Sequence, residues 1–169
     1  MTLLSRKHSG NCRIQRILRI DMERTLVLLK PDAVQRRLAG SILTRFEQKG
    51  LKIVGLKLVH ASPELAAKHY DVHKERPFFG SLVSFLTGGP TVALALEGRE
   101  AVATVRGMIG ATDGTKAAPG TIRGDHGLSI QNNLIHGSDS VDNAKTELAL
   151  WFGENELVNW APIDQTWIG

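Results

Sequence analysis

"LKIVGLKLVHASPE" (residues 51–64) changes its period part-way along. Apolar and polar residues alternate as far as Val59, which predicts a half-buried strand. Ser62-Pro63-Glu64 then predicts a helix start, with Ser62 as cap and a proline in the first turn, where its missing N–H costs nothing. A second short helix is predicted after Pro77, through "FFGSLVSFL", before the chain returns to strand in "PTVALALEG" (90–98). Two helices therefore separate these two strands.

The flanking segments extend this order. "RTLVLLK" (24–30) is an apolar run closed by Pro31 and predicts a buried strand. "LAGSILTRFEQKG" (38–50) puts Leu38, Ile42, Leu43 and Phe46 on one helical face and stops at Gly50. "REAVATVRGMIG" (99–110) is a third main helix, and a short strand ending at Ile135 precedes a last helix from about Val141 to Phe152. The order β-α-β-(αα)-β-α-β-α implies the α+β class. The expected fold is a ferredoxin-like α/β sandwich with a four-stranded antiparallel sheet and a helical hairpin inserted after the second strand.

At 169 residues, 42% hydrophobic and 22% charged, the chain suits one domain with a sizeable core. No apolar run is long enough to cross a bilayer, and a single cysteine, Cys12, excludes an internal disulfide framework. The net charge of +4 resides in residues 1–21, which hold five bases and one acid; residues 22–169 balance at 16 bases and 16 acids. Charge thus gives the domain no nucleic-acid-binding character. The division expected is a basic, poorly ordered extension over 1–21 and one domain over 22–169. The extension lacks the apolar core of a secretory signal. It is Arg-rich and acid-poor, as organellar transit peptides are, but Met22 directly before the first strand favours an upstream start codon and a cytoplasmic protein. Two of the three tryptophans lie in the tail "ENELVNWAPIDQTWIG" (154–169), which predicts that it docks on its own core or on a neighbouring subunit.

Several residues could carry chemistry. The loop "GATDGTKAAPGTIRGDHG" (110–127) holds five glycines, three threonines, one lysine and one arginine, a composition able to cradle an anion or to form a plain surface turn. It is not a Walker loop. Lys30 ends a strand, where ligands gather in such sheets or where a charge simply meets solvent. Arg106 falls near an apolar helix face, so it either snorkels outward or meets an anion. In the last helix Ala144, Leu148 and Trp151 form a stripe that includes Glu147. A carboxylate there either sits at the stripe's edge or orients an imidazole, and His136 is the candidate. His136 lies between Leu134-Ile135 and Gly137-Ser138-Asp139-Ser140, at a strand–helix joint where a neutral ring beside a glycine would be open to attack a substrate. Phe78 and Phe79 are either core residues or, if one is exposed, a surface for stacking a base.

Taken together, "ERTLVLLKPDAVQR", "HYDVHKERPFF", "PGTIRGD" and "NLIHGSDSVDNAKTELALWF" resemble the nucleoside diphosphate kinase family from about Glu23 to the C-terminus. The resemblance implies transfer of the γ-phosphate of a nucleoside triphosphate to a nucleoside diphosphate, with Mg²⁺, by a ping-pong route through a phosphohistidine at His136. It implies that Glu147 orients this ring and that Ser138 joins their network. On the same resemblance Tyr70 is expected beside the histidine, and Lys30 and Asn133 near the sugar hydroxyls and the moving phosphate. Phe78 and Ile130 are expected to flank the base, and His69, Arg106, Thr112 and Arg123 to bind phosphates. The metal is expected to be held mainly by nucleotide phosphates. A homo-oligomer is implied, hexamer or tetramer, with the long tail favouring a hexamer, and neither a membrane nor a specific nucleic acid is a partner.

The chain departs from the family at Gln131-Asn132, Ala111 and Gly114; none touches the nucleophile, and the two loop changes, Ala111 and Gly114, bear on subunit packing and stability rather than on activity. The rival expectation is an inactive ferredoxin-like nucleotide-binding or regulatory domain. A histidine phosphatase is excluded by the lack of an Arg-His-Gly motif.

Overall fold

The computed structural model describes residues 22–168. The extension 1–21, Cys12 within it, and any targeting role they have lie outside the described residues. The elements are β1 (Met22–Leu29), α1 (Pro31–Gln35), α2 (Ala39–Gln48), β2 (Lys52–Val59), α3 (Pro63–His69), α4 (Phe79–Thr87), β3 (Thr91–Arg99), α5 (Ala101–Ile109), α6 (Ile122–His126), β4 (Ile135–Gly137), α7 (Val141–Trp151) and α8 (Gln165–Ile168). The sheet order is β2-β3-β1-β4, with every neighbouring pair antiparallel. This is the ferredoxin-like α+β sandwich, and the pair α3–α4 is inserted between β2 and β3.

β1 is a continuous apolar run because it lies inside the sheet with both faces covered, and Leu26 to Leu29 have no exposed surface. Its alternation divides two cores. Val27 and Leu29 pack with Ile42 and Phe46 of α2 and Val105 and Ile109 of α5. Leu26 and Leu28 pack on the other face with Ala66, Leu86, Leu148 and Trp151 from α3, α4 and α7. Ser62 caps α3 by accepting from the Leu65 N–H, and Ser140 caps α7 by accepting from the Asn143 N–H.

Two expectations are corrected and a third is extended. The short strand does not end at Ile135 but begins there and runs to Gly137, so His136 is a strand residue paired with Leu28. The loop 110–127 contains α6 and a 3₁₀ turn at Gly114–Lys116. Gly137 serves packing as well as openness: a Cβ there would lie 2.7 Å from Ile109 Cδ1 and 3.0 Å from Val105 Cγ1, so its absence lets α5 close onto β4.

The tail crosses the outer edge of β2. The Val158 N–H donates to the Val54 carbonyl at 2.7 Å, and Trp160 Nε1 donates to the Ile53 carbonyl at 2.9 Å. Trp160 thus docks on its own chain, whereas Trp167 is 90% exposed. Among the described residues no helix is long and apolar enough to cross a membrane.

Candidate functional site

Antiparallel partners share a sheet face, so the pairing of His136 with Leu28 turns the imidazole toward α3 and α7. There it lines a cavity of about 400 Å³ together with His69, Tyr70, Arg106, Asp139, Asn143 and Glu147. His136 Nε2 lies 3.0 Å from Glu147 Oε1, and the Ser138 hydroxyl donates to Glu147 Oε2 at 2.5 Å. Ser138 also accepts from the Leu26 N–H at 3.3 Å, which anchors the group to β1. Burial pushes the Glu147 carboxyl up, but the hydrogen bond and charge of His136, with Ser138 and His69, outweigh it and hold it below the ordinary value. An ionised carboxylate only accepts, so Nε2 carries a proton, and in the neutral ring Nδ1 is then the nitrogen with the lone pair. Nδ1 has no protein partner among the described residues.

A second group adjoins it. Lys30 Nζ donates to Asn133 Oδ1 at 2.7 Å, and Asn133 Nδ2 donates to the Thr112 carbonyl at 3.1 Å. Burial, then the nearby Arg123, pulls the Lys30 ammonium down to about 8, with Asp32 opposing. The Arg123 guanidinium donates to the carbonyls of Asn133, Gly110 and Ile135 at 3.2, 3.1 and 2.6 Å. Burial and Arg106 lower it to about 10, still a cation at neutral pH. Three of its five N–H groups are thereby committed to backbone and two remain. Tyr70 is also buried, its hydroxyl has no partner, and burial with Asp32 and Glu147 raises the phenol to about 12.

This constellation sits in a chain whose relatives are consistent. Residues 23–157 match the family model described as nucleoside diphosphate kinase. The chain belongs to the nucleoside diphosphate kinase family. It is thus a nucleotide phosphotransferase. It is 58% identical over 147 residues to the nucleoside diphosphate kinase of a Picosynechococcus strain, covering 87% of this chain and 99% of that one. The corresponding enzyme of Trichodesmium erythraeum is 57% identical over the same shares. Among solved structures, the halophilic nucleoside diphosphate kinase of Halobacterium salinarum in complex with CDP superposes with a TM-score of 0.85 at 51% identity, covering 87% of this chain and 98% of that one.

Within this nucleoside diphosphate kinase fold the expected residues do not all meet. His69, Tyr70, Arg106, His136 and Glu147 line the one cavity. Lys30, Asn133 and Arg123 form the bonded group beside it, which Thr112 joins only through its carbonyl. Arg106 is exposed on α5 while Val102, Val105 and Ile109 are buried, and it lines the cavity that holds His136. Phe78 and Ile130 are 49% and 63% exposed. Phe78 lies with its ring 5.7 Å from that of His73, which lines the cavity.

Sequence reasoning missed Asp32, whose Oδ2 accepts from the Leu134 N–H at 3.0 Å. Leu134 has φ +70°, and the Ile135 N–H reaches back to the Asn133 carbonyl at 2.8 Å, a γ-turn that delivers the chain into β4. It also missed the bond from Trp151 Nε1 to His69 Nδ1 at 3.3 Å. The motif Lys30-Pro31-Asp32 carries a trace of the first; nothing in sequence spacing signals the second, whose partners are 82 positions apart.

The carboxylates lining the cavity are Asp71, Asp139 and Glu147, and Glu147 is committed to His136 and Ser138. No cage of oxygen ligands exists here among the described residues. That suits Mg²⁺, which keeps several waters and binds through substrate phosphates with one or two carboxylates. Of the other two carboxylates, Asp139 already accepts from Asn143 Nδ2 at 2.7 Å.

Proposed function

We propose that His136 is the nucleophile of a ping-pong nucleoside diphosphate kinase, and that donor triphosphate and acceptor diphosphate use the one cavity in turn. The observation that carries this reading is the bond between Nε2 and Glu147, which fixes the tautomer and leaves the Nδ1 lone pair free in a residue lining the cavity. In the first half-reaction that lone pair attacks the γ-phosphorus. The bond from this phosphorus to the bridging oxygen breaks, and its electron pair leaves with the nucleoside diphosphate. In the second, a terminal oxygen of another diphosphate attacks the phosphohistidine and the N–P bond returns its electrons to Nδ1. Glu147 stabilises the cationic ring that forms, and Ser138 holds Glu147.

The remaining residues supply charge and donors where oxygens arrive. Lys30 is a buried cation whose bonded partner is a neutral amide, a costly state that an incoming phosphate offsets. Arg106, the two free N–H groups of Arg123 and the unpartnered Tyr70 hydroxyl add donors. Bound Mg²⁺ supplies charge neutralisation across the nucleotide phosphates. Phe78 and Ile130 flank the base and Thr112 assists a phosphate; these roles rest on the resemblance. The relative crystallised with CDP supports nucleotides as ligands.

A homo-oligomer, most simply a hexamer, is proposed from the family and from the surface. Leu56 and Leu58 are 54% and 67% exposed on edge strand β2, and Trp167 faces outward. Light scattering at micromolar concentration is expected to give a multiple of the 18.5 kDa chain; a monomer overturns it. A cytoplasmic location is proposed with it, since one cysteine in 169 residues fits a reducing compartment.

The test of function is incubation with γ-labelled ATP and no acceptor. A label stable in base and labile in acid, discharged by GDP, is expected. Its absence, or its persistence in His136→Ala, would show that another residue is the nucleophile.

A further inference from the structure

His69 ends α3 and Trp151 ends α7, and both are buried, at 8% and 3% exposure. The contact between Trp151 Nε1 and His69 Nδ1 is 3.3 Å. An indole N–H can only donate, so Nδ1 must be the nitrogen with the lone pair. Burial, followed by the neighbouring His136, lowers the His69 imidazole to about 3, and the ring is neutral near pH 7. A neutral imidazole that keeps a lone pair on Nδ1 carries its proton on Nε2. That Nε2 is buried and has no partner. The His69 ring meets the His136 ring edge to face, with centroids 4.6 Å apart and planes at 84°. A buried neutral donor without an acceptor thus stands beside the histidine that lines the cavity.

One nitrogen from each histidine and a Glu147 oxygen lie within 4.8 Å of one another, which on ligand types alone would suit a transition metal. The Trp151 bond decides against that. It takes the one lone pair of neutral His69 and leaves a proton on the other nitrogen, so neither can ligate without breaking it.

We propose that Trp151 is a positioning residue: its indole N–H locks His69 in the Nε2–H tautomer, so that His69 presents a neutral hydrogen-bond donor to an oxygen of the phosphoryl group carried by His136. The proposal rests on His136 being the nucleophile. It assigns His69 a defined protonation state, as a donor that adds no charge, and gives Trp151 a role beyond core packing. A neutral donor serves both half-reactions equally, because it holds the phosphoryl group without deepening the phosphoenzyme into a trap.

The test is ¹⁵N NMR of the histidine side chains in the resting full-length protein, combined with phosphorylation kinetics. In the wild type His69 is expected to show one nitrogen of the lone-pair type and one protonated, unchanged from pH 6 to 8; a ring protonated in that range, or with Nδ1–H, overturns the proposal without any variant. Trp151→Phe keeps most of the bulk and removes the N–H. It should bring the two His69 nitrogen shifts toward each other as the tautomers mix, and slow labelling of His136 about tenfold with nucleotide KM little changed. His69→Gln offers an amide N–H that has no tautomers. In that background Trp151→Phe should cause no further loss of kcat, whereas multiplying losses would show that Trp151 acts by packing alone. An unlabelled wild type would instead defeat the nucleophile assignment, whatever the tautomer.

Discussion

At the buried end of the site, His136, Glu147 and Ser138 are joined by bonds of 3.0 and 2.5 Å and anchored to β1; Phe78 and Ile130, which the proposed function sets against the base, are 49% and 63% exposed. The difference separates two demands. Bond making at phosphorus tolerates little displacement of the attacking nitrogen, so the ring's tautomer and orientation are fixed in advance. Holding any of several bases requires the reverse, an apolar surface without donors or acceptors that would choose among them.

Substitutions should break this contrast in graded fashion. His136→Ala removes the nucleophile, and turnover should fall by at least ~10⁴-fold with loss of the label. Glu147→Ala leaves the nucleophile but frees its ring. We expect kcat lower by about 10–100-fold in steady-state assay, with an enzyme that still labels; an unlabelled Glu147→Ala protein would make the carboxylate essential rather than orienting. Phe78→Ala acts at the other end and should weaken adenine, guanine and pyrimidine nucleotides together, by about 1–3 kcal/mol in kcat/KM. Loss confined to one base would show that the flank discriminates after all.

Acidity sharpens the same comparison. The free enzyme loses the Lys30 charge as pH rises through about 8, so kcat/KM should decline on that alkaline limb, while the limb of kcat lies higher because bound phosphate holds the proton. The linked effect on stability has the opposite sign. Between about 8 and the ordinary 10.5 the unfolded chain keeps a proton that the native one has released, so the Lys30 contribution to stability rises with pH there. A kcat/KM profile flat to pH 10 would remove Lys30 from phosphate binding. The smallest effect is expected from a protein beginning at Met22, which should assemble and turn over as the full chain does, since residues 1–21 carry no motif; a shorter protein that fails to assemble counts against the division at Met22.

Much of this architecture was legible in order. β1, β2 and β3 and helices α2, α3, α4, α5 and α7 announce themselves by period and by caps such as Ser62 and Ser140. The five-residue α1 and α6 and the three-residue β4 are too short to show a period; β4 exists because β1 offers it a ladder, as the pairing of His136 with Leu28 shows. The same division holds within the site. Glu147 is visible as a carboxylate inside the stripe of Ala144, Leu148 and Trp151, all buried. The γ-turn at Leu134 is not, because a leucine gives no sign of a positive φ. Nor is the reach of Arg123 to three carbonyls, which depends on where α6 lands.

The shared cavity has a consequence for nucleotide pools. On the proposed route the phosphate bond cleaved in one half-reaction is of the same kind as the bond made in the other. The base, at the open flank, contributes almost nothing to either. The overall free energy change is then close to zero, and the direction of flow is set by concentrations alone. Such a protein cannot charge one nucleotide at the expense of the rest. It levels them, so that whichever triphosphate a cell regenerates fastest becomes the source of all the others.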